Sequence, residues 1–325
     1  MKAAVIAENG GPEVLTYAEI PDPVCADDGI VIDVETISIE GGDLLARAMT
    51  PPLSATHVVG YIAAGTVRTI GAKVKGRTLG ERVVTLNASG SHAMQRAVPA
   101  AMVWAIPDGL GTAEAACVPV AFATAHDCLF NAGGLKAGET VLIHAGAGGV
   151  GMAAIQMAKQ AGATVIATAS SADKLTRLKD LVGLDHGINY VEQDFVAEAL
   201  ALTGKRGVDV VVDSVGGKTL VDSVKVLGWR GRLVSVGIAG RGGSAVNAFS
   251  LWARNNTLHG VLFATALQNE YPRAHALVGE CLQRVARGEW RVVIDRSFPL
   301  AEAAQAHAYI EGRNAFGRVV MTTAR

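Results

Sequence analysis

The chain has 325 residues, half of them hydrophobic and 38 of them glycine, with 29 Lys and Arg against 30 Asp and Glu. That length suggests two domains, and the apolar content excludes a disordered chain. A net charge of −1 offers no basic excess for nucleic acid or anionic lipid, and every apolar stretch breaks well short of the ~20 residues a membrane span needs.

The N-terminus meets an acid at Glu8, too soon for a signal-peptide core, so a cytoplasmic protein is expected. Up to about residue 110, short β-branched runs are separated by Gly, Pro and Asp turns, at residues 2–7, 29–37, 58–69, 82–86 and 98–107. One short helix is predicted at 42–49. This texture predicts a small barrel-like β domain. From Thr112 an Ala-rich helical stretch, 113–130, leads into alternating elements. Strands are predicted at 140–144, 164–168, 208–213 and 232–236, with helices at 150–161, 172–181 and 218–227. Residues 257–263 are read as the sixth strand and 272–287 as a long helix. Such alternation predicts a parallel sheet covered on both faces. The tail returns to strands at 292–298 and 318–322 around a helix at 301–311. The simplest topology is an α/β fold in which a doubly wound parallel sheet, residues 116–291, is inserted in a β-rich domain of residues 1–115 completed by 292–325. Four cysteines, Cys25, Cys117, Cys128 and Cys281, include no CxxC pair. They read as core or incidental thiols, without a disulfide framework or a structural zinc lobe.

The strongest chemical signal is Gly146-Ala147-Gly148-Gly149-Val150-Gly151. It follows the strand Val141-Leu142-Ile143-His144 and opens a helix, the context a dinucleotide fingerprint requires. Gly146 is expected to permit the tight turn, Gly148 to let a pyrophosphate meet the backbone, and Gly151 to let the helix pack on the sheet. Amides and dipole at the helix start favour phosphate. About 20 residues on, an NAD site carries an acid on the strand end. Here that region reads Thr168-Ala169-Ser170-Ser171-Ala172-Asp173-Lys174. Hydroxyls and Lys174 suit a 2′-phosphate. Asp173 is the competing feature, unless it completes a capping box with Ser170. Ser171 and Lys174 also read as a capped, solvated helix start. The balance favours NADPH.

These residues, with 156–163, Gly187-Ile188-Asn189-Tyr190, 207–217, Leu79-Gly80-Glu81-Arg82-Val83, Ile106-Pro107-Asp108-Gly109 and Phe316-Gly317-Arg318-Val319-Val320, carry a resemblance. The chain resembles the medium-chain dehydrogenase/reductase superfamily, and within it the zinc-free quinone oxidoreductase (zeta-crystallin-like) branch. The resemblance implies a GroES-like substrate domain, a Rossmann domain, and a cleft between them for cofactor and substrate. It implies cofactor contacts at Thr124, Gly148, Gly149, Val150, Ser171, Lys174 and Tyr190. Near the nicotinamide it adds Gly216, Val236, Gly237, Phe263 and Phe316. A homodimer paired through the edge strand near 257–263 is also implied.

Zinc members carry Cys, His and Glu where this chain has Glu40, Tyr61 and Ile62. Isoleucine cannot ligate, and one carboxylate with a tyrosine is a poor zinc site, so no catalytic metal is expected. The quinone-reductase branch usually has Asn at Glu40, Tyr at Leu45, an acid at Ile62 and Tyr at His126; Asp43 and Arg47 keep its spacing. The substrate is therefore not carried over. The expected chemistry is metal-independent hydride transfer from NADPH to a quinone or an α,β-unsaturated carbonyl compound. Tyr61 is the candidate donor to the developing enolate, and Glu40 a candidate proton source. The alternative is an NADPH-binding sensor or structural relative with little turnover.

Overall fold

A computed structural model describes residues 1–243 and 245–323. The chain forms two compact units, Met1–Val120 with His275–Arg325, and Ala121–Ala274. The second segment of the first unit begins at His275, where 292 was the expectation. Trp104 accounts for this: its Nε1 donates to the His275 carbonyl at 2.9 Å, and its ring stacks on the His275 ring at 4.7 Å.

The first unit is built on a seven-stranded sheet. Its path runs through Ile294–Pro299, Arg318–Thr322, Gly29–Ser38, Ile62–Ile70, Arg82–Leu86 and Val103–Ala105, with Gln95–Pro99 also paired to Gly29–Ser38. A three-stranded sheet joins Thr16–Glu19, Lys2–Ile6 and His57–Val58. β-Branched residues supply the core, among them Ile30, Ile32, Val34, Ile37, Val67, Val83 and Val319. The expected strand at 58–69 is two strands in two sheets. Gly60 adopts φ +104°, which an extended strand does not contain, and the ladder breaks there. Near the domain boundary the helical stretch is also broken, into Thr112–Ala116, Pro119–His126 and a π turn at Asp127–Ala132. Pro119, which has no amide hydrogen, starts the second piece.

The second unit carries six parallel strands: β1 Thr140–Ile143, β2 Thr164–Ala169, β3 His186–Asn189, β4 Val208–Asp213, β5 Leu227–Ser235 and β6 Thr257–Gly260. Their order is β3-β2-β1-β4-β5-β6, with every pair parallel. This is the order of the doubly wound dinucleotide-binding fold. Central strands β1 and β4 are apolar on both faces because helices cover both. Among these helices are α1, Gly149–Gln160, and α2, Ala172–Val182. Strand β6 stops at Gly260, short of the expected 263, and Phe263 instead opens the helix Phe263–Asn269. Among the described residues no helix is long and apolar enough to cross a membrane. All four cysteines are free thiols, and Cys117, Cys128 and Cys281 are buried.

Candidate active site

Between β1 and α1 the chain turns sharply, and the glycines of that turn do different work. The left-handed residue is Ala145, at φ +52°, so the tight turn does not rest on Gly146. Gly146 is needed because a Cβ there would stand 2.9 Å from the Ala167 Cβ of β2. A Cβ on Gly151 would stand 2.4 Å from the Ala145 carbonyl oxygen, so the loop packs directly under α1. At Gly148, the residue preceding α1, a Cβ would meet only the Ala145 oxygen, at 3.3 Å. The space beside Gly148 is open, and the amides of Gly149, Val150 and Gly151 have no acceptor within the helix. An anion fits this cradle. Behind it, buried His144 holds Thr168 Oγ1 at 3.2 Å through Nδ1 and Ser223 Oγ at 3.0 Å through Nε2. Burial drops its pKa to about 3, so it is a neutral brace between β1, β2 and the helix Gly217–Val226.

At the end of β2 the helix cap is Ser171, whose Oγ accepts from the Lys174 amide at 3.3 Å. The expected capping box of Ser170 with Asp173 is therefore not formed, since the helix starts one residue later than that pairing needs. Asp173 is 77% exposed and faces Arg177 of its own helix at 4.0 Å. Ser170 precedes the cap, and Lys174 is half-buried on the first turn. Tyr190, just past β3, donates its amide to the Ala169 carbonyl at 3.1 Å, with its side chain 40% exposed.

The end of β4 is organised by Asp213, a residue whose role sequence reasoning missed. Its Oδ1 accepts the amides of Val215 at 2.6 Å and Gly216 at 3.0 Å, while its buried Oδ2 has no partner among the described residues. Gly216 and Gly217 then take φ +72° and +58°. Val236 donates its amide to the Asp213 carbonyl at 2.8 Å, and a Cβ on Gly237 would lie 2.8 Å from the Ser214 oxygen. Thus the loop at 146–151, Ser170, Ser171, Lys174, Tyr190, Gly216, Val236 and Gly237 share the C-terminal edge of one sheet, around the point where strand order reverses. Thr124 is buried in the helix Pro119–His126. Phe263 is 4% exposed, and Phe316 is a buried residue of the first unit.

In the first unit, Glu40 and Tyr61 are brought together by Asp43. Asp43 Oδ2 accepts the Glu40 amide at 2.9 Å and Oδ1 accepts the Tyr61 amide at 3.0 Å. Burial pushes the Asp43 carboxyl up to about 8. The ring of Tyr61 rests on Gly42, where a Cβ would be 2.3 Å from Tyr61 Cε2. Glu40 is itself buried, and its Oε1 accepts from Ser38 Oγ at 3.2 Å and from Arg318 Nη2. Burial raises the Glu40 carboxyl, and the Arg318 guanidinium pulls against that rise. Arg318 also donates to Ser38 Oγ at 2.6 Å and to the Ile39 carbonyl at 3.0 Å. Its contribution was missed. The pairing of Arg318–Thr322 with Gly29–Ser38, Val320 opposite Ser38, is what brings it there. Burial raises the Tyr61 phenol, and the Asp43 and Glu40 charges add to the rise. The phenol therefore keeps its proton at neutral pH and can donate it in a hydrogen bond.

Residues 26–127 match the alcohol dehydrogenase GroES-like domain and residues 149–280 the zinc-binding dehydrogenase family. The chain is 34% identical to a 2-haloacrylate reductase of a Burkholderia species, over 98% of both chains. It is 28% identical to the quinone oxidoreductase of Sus scrofa, over 99% of this chain and 97% of that one. Among solved structures, Escherichia coli quinone oxidoreductase complexed with NADPH aligns with a TM-score of 0.93 at 29% identity, over 99% of this chain and 100% of that one.

The zinc of the second family description does not fit the residues here. Among the described residues no three His, Cys, Asp or Glu side chains converge on a point. Glu40 already faces a guanidinium, which would repel a cation, Tyr61 is a protonated phenol, and Ile62 has no donor atom.

Proposed function

Since the chain belongs to the quinone oxidoreductase branch of the medium-chain dehydrogenase/reductase superfamily, we propose that it reduces quinones or α,β-unsaturated carbonyl compounds with NADPH and without a metal. The observation that carries the cofactor reading is the open cradle at Gly148, next to a strand end that presents hydroxyls and Lys174 in place of a carboxylate. NADPH, when bound, supplies the hydride. The amides of Gly149, Val150 and Gly151 receive the pyrophosphate, and Ser170, Ser171 and Lys174 the 2′-phosphate. Gly216, Val236 and Gly237 line the approach to the nicotinamide ribose, with Thr124, Tyr190, Phe263 and Phe316 as further contacts. Tyr61 donates a hydrogen bond to the substrate oxygen as negative charge grows there. We place Tyr61 ahead of Glu40, whose Oε1 is taken by Ser38 and Arg318.

The proposal extends to assembly and place. Among the described residues strand β6 ends the sheet with one edge unpaired, and Trp229, Phe249, Trp252, Leu258 and Leu262 are exposed in the same unit. A second copy covering that edge makes a homodimer, acting in the cytoplasm.

The deciding experiment is NADPH oxidation with a panel of quinones and enones, run with and without exhaustive chelation. Turnover that survives the chelator is expected. No turnover with any acceptor would favour a cofactor-binding protein over an enzyme, and stoichiometric zinc whose removal ends activity would overturn the metal-free reading. Light scattering of the purified protein tests the dimer.

A further inference from the structure

A file of buried polar side chains in the first unit leads to Gly60, the residue before Tyr61. Arg47, on the helix Gly41–Met49, is fully buried. Its Nη2 donates to Glu311 Oε1 at 2.7 Å, its Nε to the Gly10 carbonyl at 3.2 Å, and its Nη1 lies 3.0 Å from His307 Nδ1. His307 Nε2 is 2.9 Å from His92 Nε2, and His92 Nδ1 is 3.0 Å from Ser91 Oγ. His307, His92 and Ser91 are all buried.

Donor and acceptor roles along this file follow from one fact, that a guanidinium only donates. His307 Nδ1 must accept from Arg47, so the His307 proton sits on Nε2. That N–H donates to His92 Nε2, which places the His92 proton on Nδ1, facing Ser91 Oγ. Both rings are neutral: burial, then Arg96, drops His92 to about 3, and burial, His92 and Arg47 hold His307 well below its ordinary value.

The file ends on Gly60. A Cβ there would stand 2.0 Å from Ser91 Oγ and 2.1 Å from His92 Nδ1. The Gly60 carbonyl accepts from the Ser91 amide at 3.1 Å and from Arg96 Nη2 at 3.3 Å. Gly60 is the left-handed residue immediately before Tyr61.

We propose that Arg47, His307, His92 and Ser91 form a positioning network for Tyr61. By fixing the tautomers of two neutral histidines, the network holds the Gly60 turn and so the direction in which the phenol projects. The inference rests on the assignment of Tyr61 as the donor to substrate. These four are positioning residues, since none touches the reacting atoms.

Two measurements on the full chain test it. Long-range proton–nitrogen NMR of the histidine rings is expected to show His307 protonated on Nε2 and His92 on Nδ1; the reverse pattern overturns the network. A kinetic cycle with 1,2-naphthoquinone and 4-phenyl-3-buten-2-one then asks whether it acts through Tyr61. Ser91→Ala is expected to lower kcat by about tenfold or more, with the NADPH dissociation constant within about twofold, because small misplacements of a catalytic group cost this much. In a Tyr61→Phe background the same change is expected to cost less than about twofold. Equal losses in both backgrounds mean a purely structural role and overturn the proposal. A Tyr61→Phe enzyme as active as the wild type overturns the donor assignment first, and the positioning role with it, whatever the tautomers.

Discussion

Arg318 donates to the carboxylate of Glu40 inside the first unit, across 278 positions of sequence. Removing one member of a buried pair strands the other charge, at a cost of about 3–5 kcal/mol. Arg318→Met should therefore destabilise the protein by that amount in urea unfolding. The double variant Arg318→Met, Glu40→Leu should recover most of the loss, since well-packed apolar replacements of a buried pair are often neutral. A single Arg318→Met variant as stable as the wild type would contradict a buried, mutually dependent pair.

The two glycines of the nucleotide loop should respond differently to a side chain. Gly148→Val should fold, because its Cβ would meet only one atom, at 3.3 Å. It should still weaken NADPH binding at least about tenfold, or about 1.4 kcal/mol, by filling the anion cradle. Gly151→Ala should lose stability instead, because its Cβ would press on the Ala145 carbonyl at 2.4 Å. Cofactor fluorescence and thermal melting of both variants separate the two effects, and unchanged NADPH binding by folded Gly148→Val would remove the loop from the site.

Cofactor choice should depend on Lys174. It lies on the turn that follows Ser170 and Ser171, and a charge-assisted bond to a 2′-phosphate contributes on the order of 1.5–3 kcal/mol. Lys174→Ala should raise the NADPH dissociation constant and leave that for NADH nearly unchanged. Titration of both cofactors against both proteins is the check. Equal or tighter NADH binding by the wild type would mean that Asp173 turns from Arg177 to the ribose.

Stability should peak near pH 6.5. His92 and His144 are held neutral down to about 3, and His307 well below its ordinary 6.5. Below pH 6.5 the unfolded chain takes protons that the folded histidines refuse, so stability falls as pH falls, by about 1.4 kcal/mol per unit for each residue. Asp43 works in the opposite sense. Its folded pKa of about 8, against 3.8 unfolded, removes stability as pH rises between those values. The raised carboxyls of Glu40 and Asp213 act in the same sense as Asp43, and the depressed His57 and His275 in the same sense as the three buried rings. Five histidines therefore outweigh three carboxyls on the acid side, while the carboxyls slope the neutral side. Urea midpoints from pH 4.5 to 8 should show the maximum, and His144→Gln should flatten the acid limb by about one proton. A level profile from pH 5 to 6.5 would contradict neutral burial of these rings.

Much of the second unit is legible in the sequence because its signals are local. The apolar run Val208–Asp213 and the glycine loop at 146–151 are each contained within six consecutive residues. Strand β3 escapes this reading: it has four residues, and His186 and Gly187 give it no apolar period. The helix start after Ser171 is legible, and only the alternative capping box of Ser170 with Asp173 fails, because Ser170 and Ser171 are equally good caps and backbone geometry chooses between them. The first-unit site hides for a different reason. Arg318 with Glu40, and His92 with His307, meet across 278 and 215 positions, and no local spacing announces a pair that only sheet closure creates.

That closure also sets an order of events during synthesis. Strand Gly29–Ser38 is bordered by Arg318–Thr322, whereas every strand of the second unit lies between residues 140 and 260. As the chain leaves the ribosome, the parallel sheet has all its strands in hand while the earlier-made unit still waits for its last one. The nucleotide-binding unit can therefore fold first although it is encoded second. Until Arg318–Thr322 emerges, the stretch at residues 36–38 remains an open edge, while Gln95–Pro99 already covers residues 29–33. A nascent chain halted just after the second unit should resist protease across residues 121–274 and be cut around residues 29–70.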